Sequence, residues 1–141
     1  MTAAALETAL AGEHAAIFAY GVIGARLDQA RTGDARAAEA AHRSRRDALL
    51  LRLTAIGATP PPAQPAYALP FPVTNQPSAL RLAVQVEERT AAVWRAALRE
   101  TTGADRRLAL DALTDCAVRA TRWRRAAGIK PPIVAFPGAP A

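Results

Sequence analysis

Residues 58–77 read ATPPPAQPAYALPFPVTNQP, and what this stretch can and cannot form decides the fold. Pro60, Pro61, Pro62, Pro65, Pro70, Pro72 and Pro77 remove backbone donors and fix φ, so a helix is excluded here. Tyr67, Leu69, Phe71 and Val73 alternate with small residues or proline, which predicts an extended segment laid along the molecule with some side chains packed in. A segment of this length can travel the height of a helix bundle. The helical stretch after it then runs parallel to the one before it, joined by a single long crossover.

Four helical stretches surround that segment, at about residues 2–27, 34–57, 78–101 and 105–127. Thr2 is a candidate N-cap for the first and Asp34 for the second, which stops at Gly57 ahead of Pro60. Ser78 is the candidate cap of the third; Asp105 opens the fourth, which stops at Gly128 ahead of Pro131 and Pro132. Short loops join the first stretch to the second and the third to the fourth, predicting two antiparallel hairpins. The expectation is an all-α, up-down four-helix bundle in a single domain spanning 1–141, with crossover 58–77 and a C-terminal arm 128–141. In that arm Ile129, Ile133, Val134 and Phe136 are too apolar for a free tail. They either cover one end of their own bundle or dock on a neighbouring subunit.

Composition narrows the class. Hydrophobic residues make up 51% of the chain but aromatics only 5%, and much of the apolar count is alanine, so the core must come from close helix packing around small side chains. The net charge is +6 with an isoelectric point near 10.9, and Lys130 is the only lysine. Such a balance raises a polyanion as partner through an arginine-rich surface. No interleave of aromatic and basic residues marks a nucleic-acid groove, so nucleic acid is not the expected partner. Cys116 is the only cysteine, which excludes an intrachain disulfide and fits a reducing compartment. Its helical-face neighbours Leu113, Ala120 and Trp123 predict a buried structural thiol. MTAAALETAL at the N-terminus carries no basic segment ahead of an apolar one, and no apolar run reaches roughly 18 residues, so a cytoplasmic protein away from membranes is expected.

The polar residues that interrupt the apolar stripes are the candidates for function. Stepping by three and four, Leu6, Leu10, Glu13, Ile17, Tyr20, Gly24 and Leu27 share one line of the first helix. The second gives Glu39, His42, Arg46, Leu49, Leu53 and Ile56; the third gives Leu80, Val84, Glu87, Ala91, Trp94 and Leu98. The fourth gives Ala109, Leu113, Cys116, Ala120 and Trp123, without an acid. Gly21 and Gly24 suggest close helix contact, and His14 reads as a partly exposed residue or a polar tether. No nucleophile and base pair, phosphate loop or cysteine zinc site is present.

EHAAIFAYG on the first helix, AHRSRRDALLLRLTAIGATPPPAQPAYALPFPV through the second helix and crossover, and RWRRAAG closing the fourth resemble an uncharacterised ferritin-like domain family of unknown function. The resemblance implies a ferritin-like four-helix bundle, a homodimer, and no assigned activity. Di-iron bundles carry a glutamate on each of two helices and Glu-x-x-His on each of the others. Glu13, the Glu39 to His42 pair, and Glu87 or Glu88 are similar to three of these, whereas the fourth position holds Val118-Arg119-Ala120-Thr121.

A turn around residues 29–32 would set Glu13 opposite Arg46 to Ala48 and His42 opposite Ala19, an offset of about six residues or roughly 9 Å. That is too far to share an ion. The expectation is therefore that arginine has replaced metal, with Glu13 paired to Arg45 or Arg46 and Glu87 or Glu88 paired to Arg119 or Arg122. His42 is expected as a hydrogen-bonded core histidine. No cofactor is expected; iron or manganese, held by Glu13, Glu39, His42 and Glu87 in an oxidoreductase, is the alternative.

Overall fold

The computed structural model describes residues 2–140, with side chains from residue 3 onward. Within these it contains four helices and no strand: α1 (Thr2–Gly24), α2 (Gln29–Ala55), α3 (Gln76–Glu100) and α4 (Gly103–Ala127). The expected Thr2 cap and residue 141 of the arm lie outside the described side chains and residues.

Asp28, not Asp34, starts the second helix. Its backbone is extended and its carboxylate accepts from Arg31 N at 3.2 Å, so the chain is helical again only four residues after α1 ends. Gly33 lies inside α2 with open space around it. A glycine there costs about 1 kcal/mol relative to alanine, too little to break a helix that is capped and packed. Asn75, rather than Ser78, caps α3. Ser78 N donates to Asn75 Oδ1 at 3.0 Å while Ser78 Oγ accepts from Asn75 N at 3.1 Å, a reciprocal box with Pro77 in the first turn. The fourth helix opens at Gly103, ahead of Asp105, which stands in its first turn and accepts from Arg52 Nε of α2 at 2.7 Å. Gly57 (φ 78°) and Gly128 (φ 71°) follow α2 and α4 in the left-handed region, where an L side chain is strained.

Two apolar clusters occupy the two ends of the molecule. One gathers Tyr20 and Ile23 of α1, Ala35 and Ala38 of α2, Leu80 and Val84 of α3, and Trp123 of α4. Leu69, Phe71 and Val73, from the segment between α2 and α3, pack against it, as does Ile129. The other gathers Leu6 and Leu10, Leu49 and Leu53, Trp94 and Ala97, and Ala109 and Ala112. Asp28 N donates to Gln76 Oε1 at 2.6 Å and Gln76 Nε2 donates to Asp28 Oδ2 at 3.1 Å, tying the first turn of α2 to that of α3. On α1 the buried line runs through Ala16, Ala19 and Ile23, whereas Ile17 and Gly24 are half-buried. A Cβ at Gly21 or Gly24 would meet nothing, so neither serves close helix contact; one at Gly12 would stand 3.6 Å from Val93, in ordinary van der Waals contact.

Candidate functional site

Between the two apolar clusters lies a layer of charge with no exposed atom at its centre. Glu13 of α1, His42 of α2 and Glu87 of α3 are all fully buried. His42 Nδ1 lies 2.5 Å from Glu13 Oε2, and Nε2 lies 2.8 Å from Glu87 Oε1. An ionised carboxylate can only accept, so with both acids ionised the two contacts place a proton on each ring nitrogen. The ring is an imidazolium bridging two acids. Burial works against its charge, but the hydrogen bonds to Glu13 and Glu87 win and raise its pKa to about 9.

Each acid has further donors. Glu13 Oε1 accepts from Trp94 Nε1 at 2.7 Å and from Arg45 Nε at 3.0 Å. Burial alone would raise the Glu13 pKa, yet His42, Arg45 and Trp94 together hold it below the usual carboxylate range. Glu87 Oε1 accepts from the Tyr20 hydroxyl at 2.7 Å, which itself accepts from Trp123 Nε1 at 2.9 Å. Burial and the neighbouring Glu87 push the Tyr20 phenol well above its ordinary pKa, so it stays a donor. The Tyr20 ring also stacks on His42 with centroids 5.5 Å apart, close enough for the imidazolium to meet its π face. Among the described residues, Glu87 Oε2 accepts from no nitrogen or oxygen donor.

Arg45 carries the network outward. Its Nη1 donates to Asp115 Oδ2 of α4 at 2.8 Å, and Arg119 Nε donates to the same oxygen at 3.1 Å. Burial would raise the Asp115 pKa, but these two guanidinium groups lower it. Glu13, Glu87 and Asp115 therefore stand against His42, Arg45 and Arg119, and the charges balance. Cys116 is free and fully buried beside this cluster, 3.7 Å from Arg45 Nη2. Burial first, and Glu87 second, push its thiol far up, which leaves it inert as an acid or nucleophile.

Several sequence expectations need correction against this geometry. Glu13 and His42 touch, whereas the hairpin count separates them by roughly 9 Å. The turn is centred near residue 27 because Asp28 starts α2 early, which moves every residue of α2 by about two helical turns relative to α1. Arg45, not Arg46, faces Glu13; Arg46 pairs with Asp47 beside it. Glu87 takes His42 and Tyr20 rather than an arginine. Glu88 pairs with Arg124, Arg119 goes to Asp115, and Arg122 is exposed rather than part of the buried set. His14 is half-buried, and burial together with Arg46 lowers its pKa.

A metal does not fit these donors. The imidazole ring stands between Glu13 and Glu87, so the two carboxylates meet opposite edges of it, and an ion needs its ligands within roughly 2.0–2.2 Å on one side. Glu39, three residues before His42, turns outward to Arg43 at 2.7 Å. The Glu39 to His42 spacing thus does not converge, and no group of three or more His, Cys, Asp and Glu among the described residues is arranged to hold an ion. Tyr20, Trp94, Trp123 and Asp115 are the members that sequence reasoning missed. The available signal was three polar-tipped aromatics on the core stripes, Tyr20 and Trp94 on stripes that also carry an acid and Trp123 on the one that does not, since a buried indole N–H or phenol O–H needs a partner.

A family model described as a domain of unknown function (DUF4439) matches residues 5–141. Among solved structures, the crystal structure of a conserved hypothetical protein, rv2844, from Mycobacterium tuberculosis is similar with a TM-score of 0.86 and 42% identity, over 89% of this chain and 96% of that one. No curated protein gives a significant match. No helix among the described residues is long and apolar enough to cross a membrane.

Proposed function

The chain belongs to the DUF4439 family of domains of unknown function, and on that premise we propose a ferritin-like bundle acting as a structural or interaction protein, with a cationic pair in place of a di-metal centre. Support for the arrangement comes from the helix ends. The starts of α2 and α3 share one apolar cluster and the Asp28 to Gln76 bonds, which supports a proline-rich segment that runs the length of the bundle as a single long crossover.

The observation that carries the functional reading is His42 held between Glu13 and Glu87, with Arg45 on the first acid. In di-metal bundles inward glutamates from facing helices converge on ions. Here an imidazolium and a guanidinium supply the positive charge, and their directional bonds reject any shift of α1, α2 and α3 along one another. A second copy of the chain is the partner this reading expects.

Protein purified without chelator and offered Fe(II) and Mn(II) is expected to retain far less than stoichiometric metal, with Glu13→Ala and Glu87→Ala both losing stability. Near-stoichiometric metal that disappears in both variants would overturn the reading and restore a metal-dependent oxidoreductase.

A further inference from the structure

The segment after α4 does not hang free. Arg124 Nη1 donates to Pro131 O at 3.2 Å at its root, and Arg95 Nη1 donates to Pro137 O at 3.1 Å near its end. At Gly138 (φ 76°) a Cβ would lie 2.7 Å from the backbone oxygen of Ala91, so only glycine lets the chain approach α3 this closely. Pinned at both ends, the segment arches over α3 and α4 and encloses a groove of about 650 Å³. That is within the roughly 300–1,000 Å³ of small-molecule sites.

The lining has two characters. Ala91, Ala92, Ala117 and Val118 supply a floor of small apolar groups, and Val134 and Phe136 supply the roof. Of the large hydrophobic residues that remain exposed, Val118 (44%), Ile133 (64%), Val134 (42%) and Phe136 (75%) all line this one groove, so a single occupant would cover them together. Phe136 also holds φ 51°, a strained backbone for a bulky residue. At the rim, Glu88 is already neutralised by Arg124 at 2.6 Å, whereas Arg122 and Arg125 form no ion pair among the described residues. The groove is apolar along its length and carries, among the described residues, uncompensated positive charge at one side.

We propose that this groove binds a free aliphatic carboxylate, its chain lying between the alanine floor and Phe136 and its head group held by Arg122 and Arg125. A guanidinium matches a carboxylate with two parallel hydrogen bonds, and the hydrocarbon covers apolar surface that water otherwise wets. The site is separate from the buried charge layer and stands or falls independently of it.

Calorimetric titration with decanoate, kept below its micellar concentration, tests the assignment. Saturable binding at one decanoate per chain is expected, weakened roughly ten-fold or more in Arg122→Gln/Arg125→Gln and abolished in Ala117→Phe, which fills the floor. Both variants are expected to keep the parental melting temperature. Decanol is expected to bind more weakly than decanoate and to be indifferent to the arginine changes. Three results overturn the proposal: no saturable decanoate binding, decanol binding as tightly as decanoate, or a parental dimer that excludes decanoate because a second copy fills the groove and that dissociates in Phe136→Glu.

Discussion

The charge layer and the apolar cluster around Leu10 lie next to each other in the same four helices, and they hold the molecule by opposite logic. Leu10, Leu49 and Leu53 gain from leaving water and are indifferent to small slips in register. Glu13, His42 and Glu87 lose their hydration on folding and recover it only when each meets its partner at hydrogen-bond distance. The apolar cluster therefore supplies adhesion, and the charge layer supplies uniqueness. A buried ion network is a poor source of net stability, but it is costly to break.

The largest effect expected from that contrast is at Glu13. Glu13→Ala removes the acceptor shared by His42, Arg45 and Trp94 and leaves buried positive charge unmatched, so a loss of about 3–5 kcal/mol is expected in urea unfolding. A loss under 1 kcal/mol would mean that water enters the layer and that the contrast is false. Leu10→Ala, one turn away, is expected to lose about 3 kcal/mol through transfer and cavity terms. The two variants should differ in kind as well as size: a small apolar guest such as benzene can fill the Leu10 cavity, but nothing apolar can repair Glu13.

The third expectation concerns pH. The folded-state pKa of His42 is raised to about 9 from 6.5, so its contribution is complete below the unfolded value and is lost as pH rises through the folded one. Between about pH 6 and 8 a decline of about 2 kcal/mol is expected, absent in His42→Leu. Glu13 has the opposite sign: its pKa is lowered, so its contribution is present above 4.5 and fades as pH falls through the folded value. Stability should peak between the two unfolded values. A flat profile from pH 6 to 9, measured by thermal unfolding in matched ionic strength, would show that His42 is neutral and that one of the acids carries the proton.

Much of this layout was legible in the sequence. An acid surrounded by leucine and alanine at helical spacing has few reasons to be there, and Glu13 and Glu87 were readable as inward-facing on that ground. Four helices could be read from proline and glycine punctuation, which acts locally. What could not be read was the level of one helix against its neighbour. That level depends on where a short turn begins, and Asp28 and Asp34 are equally good caps as residues; only packing selects between them. The choice of Arg45 over Arg46 fails for a related reason. Adjacent residues point about 100° apart on a helix, and a small drift in the buried line decides which one turns inward. Trp94 and Trp123 were legible as buried donors in need of a partner, but which acceptor each meets is set only by the packing.

One feature of the charge layer bears on how the chain reaches its native state. Glu13 and His42 come from the first helical hairpin and Glu87 from the second, so neither hairpin alone can complete the bridge. A half-formed molecule with α1 and α2 docked exposes an imidazolium missing one acid, and one with only α3 and α4 docked keeps Glu87 without its cation. Until the other half arrives, these charges stay hydrated and fix nothing. The layer thus works as an interlock, closed only when both hairpins are in place.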